Sequence, residues 1–370
     1  MEKLDLASCK TNKEVCELVS ARVRSIPFDT FISDVQANFV YQKESAKALY
    51  TGLANNMNVM LSGSGGYGKS SLIRYVLEYF GLPYTIVGGY KDMPVDALLG
   101  LPDMKKLMED SSYQIKFEES AFYKPGILVG EEFTDIMPAT AAALKEILTS
   151  KGFHTKNGKI ESLVSNLIII GNKTADEIAD DDSKKAFYKE RFPLQAHVGW
   201  ESHTKEDYMK FLKLKFPSIE NKILTFLSHL FESNHLDSNN TISPRIAEEV
   251  AKVYVKDGID FISNFSIDLA NITKIREQAK EDIILSSTDE VFSSLRSLLK
   301  DPTLASDTAL KSLYIMHKMT GVSITNSNSE KVLRFSLDIA QKLDSVKSSI
   351  PSLVDIDDMF KTLMSNEASS

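Results

Sequence analysis

Along the chain, hydrophobic positions first cluster into short runs of β-type residues: NVMLS (58–62), YTIVG (84–88), GILVG (126–130), NLIIIG (166–171) and PLQAHVGW (193–200). Helical stretches lie between most of them. Such alternation predicts a parallel sheet with helices on its faces. After GWESHTKEDY no comparable strand follows, and apolar residues recur with helical spacing instead. In SPRIAEEVAKVYV, the positions Ile246, Val250, Val253 and Tyr254 fall on one face behind a Ser243 cap, with Pro244 at the first helical position. This pattern predicts a helical second domain. Further helical segments follow ILSSTDE (284–290) and are separated by the polar stretch TNSNSE (325–330). No internal repeat is visible.

The junction after the first run, LSGSGGYGKSSLIRYVL (61–77), breaks the pattern with glycines. Gly63, Ser64, Gly65, Gly66, Tyr67, Gly68, Lys69, Ser70 and Ser71 contain the phosphate-binding spacing GxxxxGK[ST], with a strand before it and a helix after it. That helix should bury Leu72, Ile73, Val76, Leu77 and Phe80 and stop at Gly81 to Pro83. Glycines allow consecutive amides to point at one anion, and a helix N-terminus adds partial positive charge. Lys69 is then the cation for the β and γ phosphates of ATP, and the Ser70 hydroxyl a magnesium ligand. GILVGEEF supplies acids at the end of a later strand. Glu131 is suited to the magnesium shell and Glu132 to polarising an attacking water.

Composition changes this picture little. The 370 residues, 43% hydrophobic and 25% charged, suffice for two or three domains with cores of their own. No apolar run approaches membrane-spanning length, and MEKLDLASCKTNKEVCELV is too charged for a signal peptide, so the expected location is the cytoplasm. A net charge of −8 argues against a chain-wide nucleic-acid footprint but not against a local one. Cys9 and Cys16, seven apart on what reads as one helix, are two ordinary thiols with no disulfide or zinc pattern.

From residue 36 to about 260 the chain resembles the AAA+ ATPases, and within them the MoxR-like branch. The resemblance runs through FVYQKESAKALYTGLANNMNVMLSGSGGYGKS and GYKDMPVDALLG to GILVGEEFTDIMPATAAALKEIL, which keeps the family's spacing from the acidic pair to a proline-started helix. One departure is Glu131, where the family usually has Asp; it permits a ring that hydrolyses poorly. The resemblance implies that Asn172, ending NLIIIGN, orients the lytic water, and that Arg191 in YKERFPL is a finger reaching a neighbouring subunit's γ-phosphate. It also implies that Arg245 in SPR senses nucleotide in its own subunit. Without it, these would read as a turn former and two solvated cations.

The expected architecture is an N-terminal helical arm (1–35), a three-layer α/β nucleotide-binding domain with a five-stranded parallel sheet (36–200), a helical lid (201–282) and, outside the resemblance, a C-terminal helical extension (283–370). Within SKGFHTKNGKIESLVSN, Asn157 and Gly158 predict a tight hairpin, made basic by Lys151, His154, Lys156 and Lys159. The acidic loop DEIADDDS (176–183) reads as solvated surface. The implied activity is ATP hydrolysis in a homo-oligomeric ring, a hexamer, that remodels another macromolecule. Members of the branch often serve partners with a von Willebrand factor A domain. The alternatives are a nucleic-acid motor, which the short hairpin cluster alone would support, and a nucleotide-stabilised structural ring. A small-molecule kinase would need neither Arg191 nor Arg245.

Overall fold

The computed structural model describes residues 2–91, 93–95, 98, 100, 108–109, 120–136, 138–155, 158–178, 182–200, 203–238, 242–258, 262–265, 267–280 and 282–283. The helical extension expected over 283–370 lies outside them beyond Ile283. So do Lys156 and Asn157 of the hairpin and residues 179–181 of the acidic loop.

The chain starts with three helices, α1 (Asn12–Arg24), α2 (Phe28–Asn38) and α3 (Lys43–Asn55). Thr11 and Glu14 form a reciprocal capping box that starts α1. Cys9 therefore precedes the helix rather than sharing it with Cys16, because the cap satisfies the helix's first amides at Thr11. The loop-and-helix segment follows as β1 (Val59–Ser62) and α4 (Lys69–Tyr79), then β2 (Tyr84–Gly88), β3 (Gly126–Glu131), α5 (Pro138–Ser150), and the hairpin β4 (Gly152–Thr155) and β5 (Gly158–Glu161). Next come β6 (Val164–Gly171), α6 (Asp182–Arg191), β7 (Leu194–His197), α7 (Lys205–Lys215), α8 (Asn221–Ser238) and α9 (Pro244–Asp257). Each of the five expected β-type runs is a strand.

Five parallel strands form one sheet in the order β2-β3-β6-β1-β7. Central β1 and β6 are buried at every residue, as strands covered on both faces must be, whereas edge strand β7 alternates. Met60, Leu128, Leu167 and Ile169 share a core cluster with Leu144 and Ile147 of α5 and with Phe187 and Tyr188 of α6. Strand residues alternate between faces, so Val59, Leu61, Ile168 and Ile170 point the other way, where α1 meets β6 and α3 meets β7. This is the three-layer arrangement expected. Asn12 fastens the N-terminal arm: its Nδ2 donates to Ser162 O (2.9 Å) and Val164 O (2.8 Å), and its amide to Glu161 Oε2 (3.1 Å).

The chain divides into two compact units. Residues 1–215 and 242–252 make the first, which contains the sheet, α7 and most of α9. The second comprises the described residues of 216–241 and of 253–283. In it, α8 buries Leu227, Leu230 and Phe231, Asn234 exchanges hydrogen bonds with the Asp268 backbone, and His229 pairs with Asp282 at 2.9 Å. Helix α9 has the expected Ser243 cap, which accepts from the Ile246 amide at 3.4 Å. Its buried stripe differs from the expected one: Pro244, Ala247, Val250 and Ala251 are buried, and Ile246 is 40% exposed.

Candidate nucleotide site at the carboxyl edge of the sheet

Register places the sequence-predicted residues. Ser62 at the end of β1 lies beside Gly171 of β6 and His197 of β7, and Glu131 at the end of β3 lies beside Ile170. The chain thus leaves β1 into the Gly63–Gly68 loop, β3 into Glu132 and β6 into exposed Asn172 along one edge. Carboxyl edges of parallel sheets are where such folds bind ligands.

Gly68 is the N-cap of α4 at φ 83°, ψ 17°, a left-handed conformation that glycine alone adopts freely, and it offers no side chain to the helix. The first helical bond is Leu72 N to Gly68 O at 2.8 Å, so the amides of Lys69, Ser70 and Ser71 have no partner inside the helix. Amides so placed make a cradle suited to an anion. Lys69, largely buried, turns its Nζ onto the carbonyls of Gly63 (2.5 Å) and Ser64 (2.8 Å). Burial pushes its pKa down, Glu132 opposes that shift and Arg245 adds to it. Both charges therefore lie within electrostatic reach of the ammonium. The Arg245 amide also donates to Gly66 O at 3.3 Å, which brings the start of α9 onto the loop.

The acidic pair occupies a tight turn. Glu131 O accepts from Gly89 N at 2.6 Å, and Glu132 O from Asp135 N at 3.1 Å. Glu132 itself sits at φ 61°, ψ 22°. For a residue with a Cβ this left-handed backbone costs about 1–2 kcal/mol, held by the surrounding contacts.

Arg191 is placed elsewhere. It ends α6, and its carbonyl accepts from Asn58 Nδ2 (3.1 Å) just before β1 begins. It is thus at the amino edge of the sheet, separated from Gly63 by the length of β1, about 13 Å at roughly 3.3 Å per residue. Its buried Nε has no hydrogen-bond partner among the described residues. The fold therefore gathers the loop, Glu131, Glu132, Asn172 and Arg245 at one edge and leaves Arg191 at the other.

Sequence reasoning missed a cavity of about 400 Å³ beside the loop, walled by Phe39, Tyr67, Tyr75, Trp200, Phe211 and Arg245. Tyr67 O accepts from Gln42 Nε2 at 3.0 Å, its hydroxyl bonds to His203 Nε2, and burial pushes its pKa up to about 12. Trp200 packs edge-on to Tyr67 and Phe211. A cavity of this size with aromatic walls suits a nucleobase, and with the anion cradle next to it the residues fit a nucleoside triphosphate. Its walls come from distant segments, so no local motif could announce it.

Residues 58–192 match the family model described as AAA domain (dynein-related subfamily). Among curated proteins, none matches the sequence. Similar solved structures include NtrX from Brucella abortus in complex with ADP, at 14% identity and TM-score 0.42 over 80% of this chain and 76% of that one. A mutant form of RuvB from Thermotoga maritima aligns at 15% identity and TM-score 0.41 over 73% of this chain and 85% of that one. Sheet order and the family match together make the α/β unit an AAA+ P-loop fold.

Proposed function

We propose that this AAA+ chain binds ATP with magnesium at the Gly63–Ser71 loop and hydrolyses it at a site shared between subunits of a ring, a hexamer, to remodel a partner protein. The observation that supports this best is the split itself: cradle, acids and Asn172 at one sheet edge, and an arginine with an unsatisfied Nε at the other. On binding, Lys69 exchanges the Gly63 and Ser64 carbonyls for phosphate oxygens. Ser70 and Glu131 hold magnesium, which supplies charge neutralisation at the phosphates. Glu132 orients the attacking water and takes its proton, with Asn172 holding that water in line. Arg245 faces the nucleotide of its own subunit and Arg191 that of the next. Both oppose charge developing on the transferred group.

The partner proposed is a protein with a von Willebrand factor A domain, the kind that members of the resembled MoxR-like branch often serve. A net charge of −8 does not favour nucleic acid as target, and among the described residues no helix is long and apolar enough to cross a membrane.

The test is a pair of substitutions. Lys69→Ala should lose ATP binding by equilibrium titration, because the phosphates lose their main cation. Glu132→Gln should bind ATP normally and lose phosphate release by about 10²-fold or more, as removal of a group acting only in the transition state does. Normal turnover by Glu132→Gln removes Glu132 from catalysis.

A further inference from the structure

Tyr188 is fully buried in α6, one turn before Arg191, and its hydroxyl donates to the carbonyl of Phe133. Phe133 is the residue after Glu132. A phenol costs free energy to bury unless it is hydrogen-bonded, and a phenylalanine would fill the same space between Phe187 and Phe192. The hydroxyl therefore adds something that packing does not require: it grips the backbone of the left-handed acidic turn.

Neighbouring contacts extend this grip in both directions. Gln195 Nε2 donates to Phe192 O (3.1 Å) and reaches Tyr188 O (3.5 Å), tying the end of α6, where Arg191 stands, to β7. Beyond Phe133, the Thr134 side chain lies against Gly171, so close that a Cβ there would collide with Thr134 Cγ2; the next residue is Asn172. Thr134 Oγ1 is buried with no hydrogen-bond partner among the described residues, so this contact is held by shape, and the Tyr188 hydroxyl is the side-chain hydrogen bond that ties the turn to α6. A continuous chain of contacts thus runs from Asn172 through the Glu132 turn and Tyr188 to Arg191.

We propose that Tyr188 is a positioning residue that sets the Glu132 turn of its own subunit and the Arg191 helix end together, so that the arginine lent to the neighbouring site moves with the state of the subunit's own site. This rests on the shared-site reading above.

The measurement uses the full chain carrying Tyr188→Phe. It should bind ATP with KM within twofold of the parent while kcat falls tenfold or more. Co-assembled with Arg191→Ala subunits, which retain an intact Glu132 turn, it should fail to restore activity, because its own arginine is misplaced. Restoration in that mixture, to the level reached by Arg191→Ala with Glu132→Gln, would confine the hydroxyl to its own site and overturn the proposal. So would a parental kcat accompanied only by a lower melting temperature. The control mixture of Arg191→Ala with Glu132→Gln contains no change at Tyr188; if it stays inactive in verified mixed rings, the shared site itself fails and the proposal with it. Should Tyr188→Phe not fold, 3-fluorotyrosine at 188 keeps the ring and makes the hydroxyl a stronger donor. A changed kcat at constant KM then supports the proposal, and an unchanged kcat overturns it.

Discussion

Glu132 shows how one residue's backbone and side chain serve different ends. Its left-handed backbone ends β3 and starts the turn over Phe133–Asp135. The turn is closed by tight packing: Phe133 lies over Gly89 and Gly130, and Thr134 lies on Gly171, so that a Cβ at any of the three would collide with it. Gly171→Ala should therefore overpack the junction between the acidic turn and Asn172. We expect a loss of about 1–3 kcal/mol in chemical denaturation, the usual cost of forcing a methyl into a filled core, together with slower turnover. A variant as stable as the parent would mean that Thr134 has room to rotate away.

At the scale of elements, the arm made by α1 is held by few but well-placed bonds. Asn12 Nδ2 alone satisfies two carbonyls, Ser162 O and Val164 O, where the hairpin returns to β6. Asn12→Ala leaves both buried acceptors unpaired and should cost about 2 kcal/mol or more, with hydrogen exchange rising first in α1 and at the base of β4–β5. A global loss without that local signature would contradict a docking role for the arm. Elements differ in how far sequence announces them. Strands β1, β3 and β6 are legible as apolar runs because both faces are covered, and the loop is legible because phosphate binding needs glycine and lysine at fixed spacing. The α9 face and the start of α1 are not read correctly. Helical periodicity leaves the buried arc free to rotate by one residue, and Cys9 lies in a turn whose boundary is set by the Thr11 cap. The cavity walls and the Tyr188 bond are illegible for another reason. They join residues such as Phe39 with Trp200, or Phe133 with Tyr188, that only the strand order brings together.

For the whole molecule, the proposed shared site gives Arg191, at the amino edge of the sheet, no part in the site at the carboxyl edge of its own subunit, so on that reading activity is expected to depend on assembly. Head-to-tail contact, in which one surface of a subunit meets a different surface of the next, closes into rings and suits this division. Specific activity should rise with protein concentration until rings are full. The most direct measurement mixes subunits carrying Arg191→Ala with subunits carrying Glu132→Gln in equal amounts and follows phosphate release from verified mixed rings. Each variant alone is expected to be inactive. In a random ring, an intact Glu132 meets an intact neighbouring Arg191 at about a quarter of the interfaces, so the account predicts recovery to about that share of parental activity. A mixture as inactive as its components, or a dilute monomer of the parent with full activity, would contradict it.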